Sequence, residues 1–230
     1  MSNENTCPFW KKCESKKNCN EETCRRYMNY KGLLYNAKIP KKLLKQVDWQ
    51  VDKDKDTFDK LQRLGNRIEE FVEGGYNLYL YSKTTGNGKT TWAVNLLKYF
   101  ISAESKKAKA RDCLFIDTQT LLTMIKDFNN NKTTKLDIFK DKIRKSALVV
   151  WDDIMACNGS EYDKQVLFSF VNWRISEGLA NIFTGNETKQ ECLKKLDSKI
   201  TSRIFSGAVI EFKNQDMRNK ASQKFFSEIL

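Results

Sequence analysis

The chain reads as an α/β domain built on a parallel sheet with helices on both faces, in three layers, preceded by a small cysteine-rich module. Three observations predict this. Short apolar runs of strand length alternate with segments of helical period from Tyr76 onward. The first run, Tyr76 to Tyr81, feeds the small-residue loop Lys83-Thr84-Thr85-Gly86-Asn87-Gly88-Lys89-Thr90-Thr91 and then an amphipathic stretch, Trp92 to Ile101. Four of the seven cysteines fall within the first 24 residues. At 230 residues the chain can bury one main core and carry a small appendage.

Cys7, Cys13, Cys19 and Cys24 are separated by five, five and four residues. A short polar segment cannot fold by burying apolar area, whereas a four-thiolate metal site supplies roughly 10–16 kcal/mol of folding free energy. Zinc is the default metal, and an iron–sulfur cluster also takes four thiolates. Disulfides are the other reading, disfavoured in a reducing cytoplasm. Cys113, Cys157 and Cys192 are scattered and read as small core or loop residues. The stretch from Tyr27 predicts a helix that breaks near Pro40, the junction between an N-terminal module, 1–38, and a larger domain, 39–230.

Phe58, Leu61, Leu64, Ile68, Phe71 and Val72 recur at helical spacing, and Gly74-Gly75 stops that helix before the strand at 76–81. Backbone N–H groups of Thr85 to Lys89 can wrap an anion because glycines let the chain approach closely, and a helix N-terminus adds positive potential. Lys89 is placed to reach β- and γ-phosphates, and the Thr90 hydroxyl to ligate Mg²⁺. Gly86-x-Gly88-Lys89-Thr90 is intact, while Lys83 stands where a full phosphate loop has its first glycine.

Cys113 to Asp117 is the second strand, Leu121 to Phe128 a helix, and Asn129-Asn130-Asn131 a solvated loop. Ile138 to Ser146 forms the helix before Ala147-Leu148-Val149-Val150-Trp151-Asp152-Asp153, a buried strand tipped with two acids. Ligands of open α/β sheets bind at that edge, so Asp152 is placed to hold the Mg²⁺ shell and Asp153 to orient or deprotonate the attacking water. Tyr162 to Ile175 is a helix with Val166, Leu167, Phe170, Val171 and Trp173 as its apolar positions, followed by strands at 180–185 and 208–212.

Forty-one Lys and Arg against 29 Asp and Glu give +12, which favours a polyanionic partner. Histidine is absent, so an imidazole base, a His-ligated zinc and a Ser-His pair are excluded. Mean hydropathy is −0.63 and no apolar run approaches the roughly 20 residues that span a bilayer. With no secretion-type pattern after Met1, a cytoplasmic protein is expected.

The order of these motifs resembles the AAA+ ATPases, and within them the replicative helicase loaders of the DnaC/DnaI type, a family with phage-encoded members. The likeness covers most of residues 37–218. Ala37-Lys38-Ile39-Pro40-Lys41-Lys42 resembles the linker that opens the loaders' ATPase domain. Thr84 to Thr90 is similar to their phosphate loop, and Val149 to Asp153 to their acidic strand, with Asp at its second acidic position. The resemblance implies an AAA+ phosphate-loop fold in which Thr85, Gly86, Asn87, Gly88, Lys89, Thr90 and Thr91 hold ATP and Thr90 and Asp152 hold Mg²⁺. It further implies catalytic roles for Lys89 and Asp153, for Asn186 as the residue that positions the lytic water, and for Arg203 as the finger completing a neighbouring subunit's site. Asp216-Met217-Arg218 resembles the final sensor motif, with Arg218 on the γ-phosphate. Only 12 residues follow Arg218, leaving no room for a C-terminal helical lid.

The loaders' N-terminal module grips the hexameric replicative helicase, a position held here by the cysteine cluster. The expected function is therefore ATP-dependent loading of that helicase in DNA replication, with single-stranded DNA bound by the ATPase domain and ATP favouring a homo-oligomer. A transposition-type AAA+ ATPase on duplex DNA shares nearly all of these motifs. A non-hydrolysing, metal-dependent adaptor is the reading in which Lys83 marks a vestigial loop.

Overall fold

A computed structural model of the chain describes residues 7–9, 13, 22–44, 54–129, 134–156, 160–196 and 198–213. Five strands, β1 (Asn77–Tyr81), β2 (Cys113–Asp117), β3 (Leu148–Asp152), β4 (Ala180–Gly185) and β5 (Ala208–Glu211), form one sheet in the order β2-β3-β4-β1-β5. Every pairing is parallel, from Leu78 against Ala208 at one edge to Cys113 against Leu148 at the other. Parallel neighbours need crossovers, and the helices supply them on both faces.

The two-residue period of the strands splits the core. Leu78, Leu80, Leu148, Val150 and Ile182 point to one face. They meet α1 (Arg25–Asn36), α3 (Lys55–Asn66), α4 (Ile68–Glu73) and α5 (Lys89–Glu104) through Leu33, Leu61, Phe71, Leu96 and Phe100. Tyr79, Leu114, Ile116, Val149, Trp151 and Phe183 point to the other face. There they meet α6 (Thr118–Asn129), α7 (Thr134–Lys145), α8 (Glu161–Ser176), α9 (Lys189–Lys195) and α10 (Ser198–Ile204). The short α2 (Lys41–Leu44) starts directly after Pro40. Although α1 falls within the expected N-terminal module, its Leu33 and Ala37 join the first core, and Phe115 N of β2 donates to Ala37 O at 2.8 Å.

Two expectations change. The helix read continuously from Phe58 to Val72 is two helices that meet at Arg67, whose φ of −114° leaves helical geometry. α3 lies so close to α5 that a Cβ on Gly65 would come within 2.8 Å of the Tyr99 ring, and the turn that follows brings Ile68, Phe71 and Val72 into the core beside α5 and β4. Trp173, read as an apolar position of its helix, is 46% exposed. The inward position next to it belongs to Arg174, which is fully buried.

Arg174 has no carboxylate partner among the described residues; carbonyls and an amide satisfy it instead. Its Nη1 donates to Ile143 O and Ser146 O, both at 2.7 Å, at the C-terminal end of α7, and its Nη2 to Ala180 O at 2.6 Å. Nε donates to Asn181 Oδ1 at 2.6 Å, which also accepts from Trp151 Nε1 at 3.1 Å, and Asn181 Nδ2 reaches Asn77 Oδ1 at 2.9 Å. Burial lowers the guanidinium's pKa to about 9, so it stays cationic at neutral pH. The network ties the starts of β1 and β4 to the end of α7. Arg174→Ala strands these acceptors in the core and should destabilise the chain by about 3–5 kcal/mol in urea unfolding, whereas Trp173→Ala should change the midpoint little.

Candidate functional site

At the opposite edge of the sheet, β1 ends at Tyr81 and the chain enters the loop, with Ser82 buried beneath it and Ser82 Oγ 3.2 Å from Thr84 Oγ1. Gly86 and Gly88 have φ of 70° and 95°, and Gly88 caps α5 from the left-handed region, where a side chain would be strained. Thr85 is exposed, while Asn87 is buried and its Nδ2 donates to Thr84 Oγ1 at 3.2 Å. Lys89 opens α5 and is buried. Its ammonium donates to Thr84 O and Asn87 Oδ1, both at 3.2 Å. Thr90 and Thr91 are half-buried in the first turn.

Thr90 Oγ1 donates to Asp152 Oδ1 at 2.7 Å, bringing the loop and the acid strand together as expected. The same oxygen accepts Thr184 Oγ1 from β4, also at 2.7 Å. Thr184 Oγ1 in turn accepts the backbone N–H of Asp153 at 2.9 Å, and Thr184 O accepts that of Ile154 at 2.9 Å. Asp153 sits at φ 50°, a left-handed conformation that only a few side chains adopt and that these contacts hold. Thr118 Oγ1, at the start of α6, donates to Asp152 O at 2.8 Å. Sequence reasoning missed Thr184 because a threonine inside a strand carries no motif signal.

Both acids are held above the ordinary carboxylate range. For Asp152 the main cause is burial, opposed by the Thr184 and Thr90 hydroxyls. For Asp153 burial comes first, then the charges of Asp152, Glu187 and Asp117.

Asn186 follows β4 directly, and its backbone N–H donates to Glu187 Oε2 at 3.0 Å. Glu187 Oε1 pairs with Lys195 Nζ at 2.5 Å, and Glu187 O accepts the Tyr79 hydroxyl at 2.9 Å. A Cβ at Gly185 would stand 2.3 Å from that hydroxyl, so only glycine fits between β4 and Tyr79. Arg203 is not at the phosphate loop. It lies half-buried on α10, its Nε donating to Asn172 Oδ1 of α8 and its guanidinium 5.4 Å from the Phe168 ring centre. Cys19 and Arg218 fall outside the described residues. Cys7, Cys13 and Cys24 form no disulfide, and no group of three or more His, Cys, Asp or Glu among the described residues could hold a metal.

The donor set fits a magnesium nucleotide. The buried Lys89 ammonium, which donates to a carbonyl and an amide oxygen of its own loop, can turn to phosphate, and the Thr90 hydroxyl beside a desolvated Asp152 suits Mg²⁺, which uses one or two protein oxygens plus phosphates. A model of the bacterial DnaA ATPase domain matches residues 60–211, a span holding the loop, both acids, Asn186 and Arg203. The chain belongs to the bacterial DnaA ATPase-domain family.

The chromosomal replication initiator protein DnaA of Helicobacter hepaticus is 26% identical over 145 residues, 63% of this chain. The chain spans 30% of that relative's length. Among solved structures, the DnaC helicase loader superposes with a TM-score of 0.59 at 19% identity, covering 74% of this chain and 96% of the loader. A replication initiator DnaA bound to AMPPCP and single-stranded DNA superposes at 0.55 and 15%, covering 81% and 54%. What is shared at such identities is the fold, and it is the AAA+ fold implied by the motif order.

Because both acids have raised pKa values, the folded DnaA-type domain binds more protons than the unfolded chain between the ordinary carboxylate range and those raised values. Their contribution to stability is complete below that window and is lost as pH rises through it. In the nucleotide-free protein at neutral pH, Asp152→Asn keeps an acceptor for both threonines and removes the buried charge. It should raise the melting temperature by about 2–5 °C, and the variant should melt no higher when Mg²⁺ and ATP are added, whereas the unaltered chain should melt higher with them, both read by calorimetry.

Proposed function

We propose that the chain is an ATP-dependent loader of a replicative DNA helicase, gripping the helicase through its N-terminal residues and single-stranded DNA through the ATPase domain. The observation that carries the nucleotide half is Asp152 Oδ1 accepting Thr90 of the phosphate loop and Thr184 of β4 together. That contact assembles a cation-ready carboxylate beside the Lys89 ammonium. The loader half is supported by the motif order and by the fold shared with the DnaC helicase loader, and the single-stranded DNA by the +12 charge and the DNA-bound initiator of the same fold.

Bound Mg-ATP would supply the scissile phosphoanhydride and a cation that neutralises its charge. Lys89 would bind the β- and γ-phosphates, and Thr90 and Asp152 would fix the cation. Asp153, pushed toward a better base by burial and by its acidic neighbours, would take the proton of the attacking water. Asn186, held by its backbone against Glu187, would orient that water. Arg203, docked on α8 of its own chain, would act across a head-to-tail contact in a homo-oligomer.

Calorimetry and phosphate-release assays with and without single-stranded DNA separate these roles. Lys89→Ala should lose ATP binding. Arg203→Ala should bind ATP as the unaltered chain does and hydrolyse it on the order of 10³-fold more slowly. Full hydrolysis by Arg203→Ala would remove the finger assignment, and absence of ATP uptake by the unaltered chain would remove the ATPase reading. Failure to co-purify with a hexameric helicase would remove the loader reading.

A further inference from the structure

A run of exposed rings and cations lies away from the phosphate loop, between the β2 edge and the N-terminal ends of β3 and β4, and nucleotide chemistry leaves it unused. Three helices meet there. The end of α1 crosses β2, with Phe115 N on Ala37 O. The last turn of α7 adjoins it, Lys142 Nζ donating to Asn36 O at 2.6 Å. α7 then packs on the end of α8, where the Arg144 guanidinium stands 5.5 Å from the Trp173 ring and 5.9 Å from that of Phe170.

Tyr35 on α1 is 76% exposed, with Lys38 Nζ 4.6 Å from its ring centre, and Trp173 is nearly half exposed. Each ring therefore has a cation of its own chain against it and broad area left to solvent. Burial holds the Lys142 ammonium below its usual pKa, Asp112 opposing the shift and the weaker repulsion from Lys38 adding to it. Of the other acids nearby, Asp141 is paired with Lys145 at 3.0 Å and Glu177 closes α8 beyond Trp173.

Exposed rings interleaved with cations fit one chemistry well. Unpaired bases offer flat faces to stack on, at about 1–3 kcal/mol per base, and the strand between them offers phosphates for the ammonium and guanidinium groups. A duplex keeps its base faces stacked inside and cannot use the rings. We propose that the face formed by α1, α7 and α8 binds single-stranded nucleic acid, with Tyr35 and Trp173 stacking on bases and Lys38, Lys142 and Arg144 on phosphates. This deepens the DNA-binding part of the proposed function and gives it a surface separate from the nucleotide site.

The test is fluorescence anisotropy of a labelled oligothymidylate with the full chain. Tyr35→Ala and Trp173→Ala should each weaken binding by about fivefold or more. Tyr35→Phe and Trp173→Phe, which keep a ring, should restore most of it. Lys38→Ala should lower the slope of log affinity against log salt by about 0.7. ATP uptake, measured on the same samples, should be unchanged.

Ring variants that bind as tightly as the unaltered chain would overturn the proposal. So would tighter binding of a duplex of equal length, or no oligonucleotide binding by a chain that takes up ATP. Loss of binding in the ring variants of a chain that takes up no nucleotide would keep this surface and remove the ATPase reading.

Discussion

The site depends on one desolvated carboxylate. Asp152 is the last residue of β3, and a single oxygen of it accepts hydroxyls from the phosphate-loop helix and from β4. Each such charge-assisted bond contributes about 1.5–3 kcal/mol, while removing a carboxylate from water costs several. The hydroxyls therefore offset the burial only in part, which is why the carboxyl stays above its ordinary range with both threonines in place. A bound cation such as Mg²⁺ would remove the remainder. Burial is thus what weakens the empty chain, and the contact that opposes it fixes where α5, β3 and β4 end relative to one another.

The two ends of the sheet solve opposite electrostatic problems. Strand C-termini gather Asp152 and Asp153, with Asp117 and Glu187 adding negative potential. Strand N-termini hold a buried guanidinium, and its donors take the carbonyls left over at the end of α7 and at the start of β4. No acid is needed there, because helix C-terminal carbonyls already carry partial negative charge. Arg174 occupies the inward position of α8 that an aliphatic residue would ordinarily hold, and this turns Trp173 out toward Arg144 and solvent.

Much of this was legible before any coordinates. Glycines at 86 and 88 announce a loop because only glycine takes their backbone angles cheaply, and a strand ending in two acids marks the rim at which the loop and the carboxylates meet. Strand positions followed from apolar runs bounded by polar turns, and all five lie within a residue or two of expectation. Contacts between distant segments were not legible. Thr184 looks like any strand residue until β4 lies beside β3. The break at Arg67 falls just after Gly65, where α3 runs against Tyr99 of another helix. Trp173 followed the helical period and was read as core, since periodicity locates a stripe to within a residue and cannot foresee that an arginine will fill it.

Tyr79 joins the candidate nucleotide site to the helix that carries Arg203. Burial raises the pKa of its phenol, so it remains a donor, and the carbonyl it holds belongs to Glu187, next to Asn186. Its ring packs 4.5 Å from Phe205, just past the end of α10, and stacks along β1 on Tyr81. Glycine at 185 is what lets the hydroxyl pass beneath β4 to reach that carbonyl. The Tyr79 ring is hemmed in by close-packed side chains, Phe205 among them, so the hydroxyl's hold on Glu187 O is a fixed one. The side chain of Tyr79 thereby links the backbone beside Asn186 to the residue that follows α10.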